Sequence, residues 1–139
     1  MHAREVSPDR TLLVEFAYDE SLRSELRAFA DAAEIESAWV LGTGALRSAE
    51  LAVYDQDDLE SRLVSYDEPL EMPLFTGTVT TGDTPDVQLQ AVLARPSGQA
   101  LAGRLDSATV FFGQALVWTF EESLDRERDP DTGMDRLAL

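Results

Sequence analysis

The clearest strand pattern in the sequence is Val87-Gln88-Leu89-Gln90-Ala91-Val92-Leu93-Ala94. Its odd-numbered residues are all apolar, whereas two of the residues between them are glutamines. A period of two places the apolar set on one face of an extended chain. The stretch is therefore predicted to be a half-buried β-strand that carries Gln88 and Gln90 together on its other face.

On both sides of this strand, β-type patterns occupy most of the chain. Turn-rich segments separate them, the densest being Thr81-Gly82-Asp83-Thr84-Pro85-Asp86. Further strands are predicted over Thr11–Phe16, Glu36–Leu46, Ser48–Tyr54, Leu59–Tyr66, Leu70–Thr80, Ala100–Leu105 and Ala108–Phe120.

One segment has a helical period instead. Leu22, Leu26 and Phe29 recur at spacings of three and four, which predicts one principal helix over about 20–33, with Asp19 as its N-cap. The fold class is α+β: a single compact domain with a curved antiparallel sheet of about seven to eight strands. Residues 1–9 are predicted to be a flexible N-terminus, residues 10–122 the domain, and residues 123–139 a frayed acidic tail. Met134, Leu137 and Leu139 in this tail could instead dock onto the domain.

Composition excludes several kinds of chemistry. The 139 residues contain no cysteine and one histidine, His2, so disulfides, thiol catalysis, multi-histidine metal sites and a Ser-His-Asp triad are not expected. The formal net charge is −16, and all 11 basic residues are arginines. Such acidity predicts a salt-adapted, halophilic protein, because molar salt screens the repulsion between carboxylates. The alternative is an acidic mesophilic protein with unusual codon use.

The charge also bears on partners and location. The arginines are scattered and form no basic stripe, so direct nucleic-acid binding is expected to be weak or absent. No apolar leader and no apolar run of about 20 residues is visible, which predicts a cytoplasmic protein without a membrane partner.

Gly42-Thr43-Gly44 resembles the start of a dinucleotide-binding loop, but the position of the third glycine is Arg47 and no helix follows. Gly42 and Gly44 are better interpreted as structural glycines at a bulge or a close backbone approach. Gly77 and Gly103 are also assigned as structural glycines.

Several blocks, in order, resemble the PPC domain (plants and prokaryotes conserved). They are Trp39–Leu46, Ala49–Asp55, Glu68–Val79, Gln88–Ala94, Ala102–Leu105 and Thr109–Val110, and the resemblance covers about residues 10–122. It implies a compact domain with a curved antiparallel sheet, usually assembled as a homotrimer. Plant members carry AT-hooks and bind DNA, whereas stand-alone prokaryotic members are described as candidate DNA-binding proteins of unsettled role.

This chain departs from the family pattern in two ways. It has no AT-hook, and the positions of three family histidines that look like a zinc site are Gln88, Gln90 and Arg104. Amides are weak zinc ligands and a guanidinium repels cations, so the zinc site is predicted to be lost, with no cofactor in its place. Gln88, Gln90 and Arg104 could instead form a pocket for an anion or carboxylate, or a polar layer holding the sheet or a subunit interface together.

Three functional hypotheses follow. The favoured one is a non-enzymatic PPC-domain protein, a homotrimeric assembly or binding module. Its expected partners are other copies of this chain and, as a further possibility, another protein. The alternative is a small-molecule-binding or anion-binding protein, or an enzyme, that uses a pocket around Gln88, Gln90 and Arg104. The third, a direct DNA-binding regulator, is disfavoured by the charge.

Overall fold

A computed structural model describes all 139 residues and contains eight strands and one helix. The elements, in chain order, are β1 (Pro8–Phe16), α1 (Leu22–Ala32), β2 (Ala38–Asp55), β3 (Glu60–Tyr66), β4 (Leu70–Thr80), β5 (Asp86–Ala94), β6 (Ala100–Phe120), β7 (Arg126–Arg128) and β8 (Asp135–Leu137). The single helix α1 has 11 residues, fewer than the roughly 20 that a membrane-spanning helix needs.

The main sheet has six strands in the order β1-β6-β5-β4-β2-β3, all paired antiparallel. A further pairing joins β6 to β2, so that β2, β4, β5 and β6 form a closed ring. The long strands β2 and β6 each pair with three others along their length, and β1 and β3 lie at the outer edges. The predicted α+β class and the curved antiparallel sheet are confirmed.

The prediction of about seven to eight strands in the main sheet is partly wrong, because this sheet has six. Four of the predicted strands belong to only two observed strands. Glu36–Leu46 and Ser48–Tyr54 belong to the single strand β2, and Ala100–Leu105 and Ala108–Phe120 belong to β6. Register shifts occur at each of the apparent breaks. A bulge inserts an unpaired residue without ending the ladder, so a break in alternation does not mark the end of a strand here.

The C-terminal segment is a hairpin rather than a frayed tail. β7 and β8 form a separate two-stranded sheet, and Leu124, just before it, is 4% exposed. The Thr81 amide donates a hydrogen bond to the Leu124 carbonyl at 2.8 Å, which ties the start of the hairpin to the end of β4. In the connecting turn the Asp129 carboxylate accepts backbone hydrogen bonds, chiefly from Thr132, and these lower its pKa.

The predicted helix is present, although its predicted cap is wrong. Ser21 occupies the N-cap position and makes no side-chain capping hydrogen bond. Asp19 instead lies in a left-handed turn, with φ of 71°, and its carboxylate pairs with Arg47. Leu22 and Leu26 are fully buried where the helix packs on β5 and β6.

The core lies inside the sheet and beneath the helix. Along β5, Val87, Leu89 and Leu93 are fully buried, so Gln88 and Gln90 project from the outer face, as the alternation predicts. The site described next is therefore built on the outside of the closed ring.

Candidate functional site

Strand register brings the three residues singled out in the sequence onto one patch of the outer face. Gln90 of β5 is directly opposite Arg104 of β6, and on its other side it is opposite Thr76 of β4. Gln88 is opposite Thr78 of β4. Directly opposed side chains have Cβ atoms about 5 Å apart, so these five residues form a continuous polar surface.

The C-terminal hairpin converts this surface into a cavity. Its volume is about 610 Å³, within the range of small-molecule sites. The sheet wall includes Gln88, Gln90 and Arg104, and the end of β2 and the turn after it supply a second wall. The hairpin side is lined by Arg126, Arg128, Gly133, Met134, Asp135 and Leu137.

Arg126 attaches the hairpin to the sheet. Its Nη2 donates a hydrogen bond to the Thr78 hydroxyl, and its Nη1 donates to the Asp135 carbonyl at 3.4 Å. The side chain is 16% exposed, and its Nε forms no hydrogen bond, although Asp86 Oδ2 lies 3.5 Å from it. Burial lowers the pKa of the Arg126 guanidinium, and the charges of Asp86 and Asp135 oppose that effect.

Asp86 contacts both the residues of the cavity and helix α1. Besides approaching Arg126, its carboxylate accepts a hydrogen bond from Gln88 Nε2 at 3.1 Å. Its other oxygen is 4.0 Å from Arg23 Nη2 on helix α1, and Arg23 also donates to the Val87 carbonyl at 2.8 Å. One carboxylate at the start of β5 thus orients Gln88 and partly neutralises Arg126.

Arg104 differs from the other cavity arginines because its guanidinium has no ion-pair partner. Eight of the eleven arginines pair with carboxylates. The three that do not are Arg4, Arg27 and Arg104, and only Arg104 lines this cavity. With Arg126 and Arg128 opposed by Asp135 alone among the lining residues, the cavity is locally positive in a chain of charge −16.

The lining is not suited to a divalent metal ion. No group of three or more His, Cys, Asp or Glu side chains is placed to hold one. At the three positions where the resemblance implies histidines, the lining offers two neutral amide oxygens and a guanidinium, and Arg126 adds a second positive charge nearby. Zinc prefers imidazole or thiolate ligands, and these cations would repel it.

Trp39 provides a flat apolar surface beside the polar patch. Its ring is 42% exposed and held in place, because Nε1 donates to Thr76 Oγ1 at 2.9 Å and that hydroxyl donates to the Val40 carbonyl at 2.9 Å. Met134 and Leu137 add apolar surface from the hairpin. The cavity therefore combines positively charged, hydrogen-bonding and apolar surfaces.

The assigned glycines lie where the backbone is crowded. A Cβ on Gly77 would be 1.9 Å from the Gln88 carbonyl oxygen, and one on Gly103 would be 3.1 Å from the Ala52 carbonyl oxygen. At Gly42 it would meet the Phe75 ring at 2.3 Å, and at Gly44 the Phe112 carbonyl oxygen at 2.3 Å. Gly77 and Gly103 belong to the strands beneath the cavity, so their close packing fixes its floor.

The hairpin itself was not predicted from the sequence, and neither was the role of Arg126. The only available signal was Asp129-Pro130-Asp131-Thr132-Gly133, a turn sequence flanked by Arg126-Glu127-Arg128 and Asp135-Arg136-Leu137. The flanks are too short and polar to show strand alternation. Their attachment depends on contacts with Thr78 and Asp86, which are distant in the sequence.

A closed antiparallel sheet with one helix and an external cavity defines this molecule as a single-domain α+β protein. The chain belongs to the Plants and Prokaryotes Conserved (PCC) domain family, abbreviated PPC above, whose family model matches residues 3–121. The resemblance seen in the sequence is confirmed. The matched range ends before the hairpin that closes the cavity.

Solved structures share the fold. A metal-containing protein from Archaeoglobus fulgidus is 28% identical, with a TM-score of 0.92 and 100% of each chain covered. A PPC protein from Pyrococcus horikoshii is 22% identical, with a TM-score of 0.87, covering 95% of this chain and 94% of that one. A candidate DNA-binding protein from Bacteroides thetaiotaomicron is 22% identical, with a TM-score of 0.86 and 96% of each chain covered. No curated protein matches this chain.

Proposed function

We propose that this PCC-domain protein is a non-enzymatic binding module that takes a small organic anion into the cavity around Gln88, Gln90 and Arg104. The observation that carries the proposal is the unpaired Arg104 guanidinium, which lies in a cavity of about 610 Å³ beside two glutamine side chains. A guanidinium presents a planar set of donors that matches a carboxylate. Arg104 is exposed and lines the cavity, so its donors are free to meet a ligand.

The test compares Arg104→Gln with Arg27→Gln. Both variants remove one positive charge, but Arg27 is exposed on helix α1 and does not line the cavity. Calorimetric titration with 3-phenylpropionate, citrate and inorganic phosphate at constant ionic strength should show binding of a carboxylate to the unmodified protein. Hydrogen bonds to charged groups contribute about 1.5–3 kcal/mol, so Arg104→Gln should weaken binding by about tenfold or more. Equal losses in both variants, or no binding to the unmodified protein, would contradict the proposal.

The module is further proposed to assemble as a homotrimer. Apolar side chains lie in line across the outer face of three strands, where Leu13 of β1 is opposite Leu116 of β6, which is opposite Leu41 of β2. Leu13 is 81% exposed and Leu41 is 39% exposed in the isolated chain. An apolar patch of this kind is typical of an interaction surface.

Light scattering tests the assembly. At molar salt the protein should have three times the mass of the 15.3 kDa chain, and Leu13→Asp should reduce that mass. Leu63→Asp is the matched control, because Leu63 is also exposed but lies on β3, at the opposite edge of the sheet from β1. A monomeric unmodified protein would rule out the trimer.

Direct DNA binding is not proposed, although neighbours in the fold are described as candidate DNA-binding proteins. A chain of charge −16 repels phosphates, and its unpaired arginines do not form a stripe. Any role near DNA would pass through a protein partner, and the acidity suits a salt-rich cytoplasm. A mobility shift of random duplex DNA at sub-micromolar protein and physiological salt would overturn this view.

A further inference from the structure

We infer that the ligand is a monocarboxylic acid with a neutral hydrogen-bonding group, such as a hydroxyl, on an apolar body. The inference rests on the proposed anion site and identifies the chemical class that the site selects. Three properties of the lining carry it: the balance of its charges, the two neutral glutamines, and the apolar surface beside them.

The charge balance leaves one free cation. Arg126 is opposed by Asp86 at 3.5 Å, and its terminal nitrogens donate to Thr78 and to the Asp135 carbonyl. Arg128 lies 3.9 Å from the Asp135 carboxylate. Among the three arginines of the lining, Arg104 alone has no carboxylate within ion-pair distance, so it is the cation that is free to hold a ligand carboxylate. A monoanion neutralises it, whereas a dianion would bring an extra negative charge into a chain of charge −16.

The side chains next to Arg104 are neutral. Gln90 is directly opposite Arg104, and its carboxamide makes no hydrogen bond within the protein. Gln88 donates to Asp86 and keeps its amide oxygen as an acceptor. A carboxamide offers both a donor and an acceptor, which suits a hydroxyl on the ligand and gives no advantage to a second carboxylate.

The remaining surface fits an apolar body. Trp39 is fixed by its hydrogen bond to Thr76, and Met134 and Leu137 line the hairpin side of the cavity. A cavity of about 610 Å³ is larger than a two- or three-carbon acid requires. A carboxylate held at Arg104 would therefore extend an apolar part toward the tryptophan ring.

Three probes of matched skeleton separate these features: 3-phenylpropionate, 3-phenyllactate and phenylsuccinate. The first has one carboxylate, the second adds a hydroxyl, and the third adds a second carboxylate. Calorimetric titration at constant ionic strength and pH 7 should rank phenyllactate first. A hydrogen bond contributes about 0.5–1.5 kcal/mol, so the hydroxyl should tighten binding by about two- to tenfold over phenylpropionate. Phenylsuccinate should bind most weakly.

Two variants test the assignment of roles. Gln90→Leu should remove the preference for phenyllactate while leaving phenylpropionate bound, because it deletes only the neutral hydrogen-bonding group. Asp86→Asn should improve phenylsuccinate relative to phenyllactate by about tenfold, since it removes the stronger of the two negative charges that oppose Arg126. Asparagine can still accept the Gln88 hydrogen bond, and the thermal midpoint of each variant reports whether the fold is retained.

The outcomes distinguish the inference from the proposed function. If none of the three acids binds, the anion site itself is contradicted. If they bind and Arg104→Gln abolishes binding, but phenylsuccinate is tightest or the hydroxyl has no effect, the anion site stands and the monocarboxylate assignment is overturned. If Asp86→Asn and Gln90→Leu leave the ranking unchanged while folding normally, the roles given to those residues are wrong.

Discussion

At the scale of single residues, Gly77 shows how a strand contact supports the cavity. It lies where β4 and β5 approach so closely that a Cβ would be 1.9 Å from the Gln88 carbonyl oxygen. Because the obstacle is backbone, no side chain can rotate away to relieve it. Gly77→Ala should therefore lower the free energy of unfolding by about 3 kcal/mol or more, measured by denaturant titration.

Gly113→Ala is the control for that substitution. A Cβ on Gly113 would meet Phe16 ring and Cβ atoms no closer than 3.3 Å, and these belong to a side chain that can shift. The loss of stability should be clearly smaller than for Gly77→Ala. Equal losses would show that the close approach of β4 and β5 is not the cause.

Glu122 fixes the N-terminal end of the chain through a pH-sensitive contact. The amide of Ser7 donates to Oε2 at 2.7 Å, and its hydroxyl donates to Oε1 at 2.9 Å. The backbone hydrogen bond first, and the hydroxyl second, lower the pKa of Glu122 below its ordinary value of 4.5. A lowered carboxyl pKa stabilises the folded state above pH 4.5, and this contribution is lost as pH falls through the folded-state value.

Glu122→Gln should therefore be less stable than the unmodified protein at pH 7, and the difference should shrink as the pH is lowered below 4.5. Thermal midpoints at molar salt, taken from pH 7 to pH 3, measure this difference. Glu121→Gln removes a neighbouring carboxylate that makes no side-chain hydrogen bond. The thermal midpoint of this variant should therefore differ little from that of the unmodified protein at any of these pH values. A constant difference across the pH range would disprove the linkage.

The residues of the candidate site were only partly predictable from the sequence. A two-residue period is enough to place Gln88 and Gln90 on the same face, and Arg104 was added by the family resemblance. Arg126 was not predicted, because its position over Thr78 depends on a contact between residues 48 positions apart. Local patterns report which face a side chain occupies, but they do not report what covers that face.

At the scale of elements, most strands and the helix followed from their periods. The errors were in β2 and β6, whose breaks in alternation at Arg47 and Asp106 look like turns but lie at register shifts within one strand. Whether such a break ends the strand depends on partners on both sides, and these are long-range. The hairpin of β7 and β8 was missed for the related reason that three-residue strands are too short for a pattern.

Helix α1 contributes mainly through its buried face. Leu26 is fully buried against the sheet, so Leu26→Ala should leave a cavity and cost about 2–5 kcal/mol of unfolding free energy. Arg27→Ala, one position along, is exposed and should change stability by less than about 0.5 kcal/mol. Denaturant titration measures the free energy of unfolding of both variants. If Leu26→Ala lowered it only slightly, the helix would be weakly packed on the sheet.

At the scale of the whole molecule, charge is the dominant feature. Eight arginines are paired with carboxylates, but 27 acidic residues leave most of the negative charge uncompensated. Exposed ion pairs contribute little each, so they do not offset the repulsion among the remaining carboxylates. The same excess makes the locally positive cavity unusual, since it concentrates three arginines against one acid in its lining.

This repulsion predicts a salt-dependent stability. The Debye length falls from about 10 Å at 0.1 M to about 3 Å at 1 M salt, so thermal midpoints should rise with KCl and level off as screening becomes complete. The triple variant Asp31→Asn, Glu60→Gln, Glu71→Gln removes three exposed charges that form no ion pair. It should be more stable than the unmodified protein at low salt and equal to it at 2 M. If the thermal midpoints of the unmodified protein and the triple variant both kept rising linearly with KCl and differed by a constant amount, screening would not be the cause. The effect would then be due to the strengthening of apolar burial by salt.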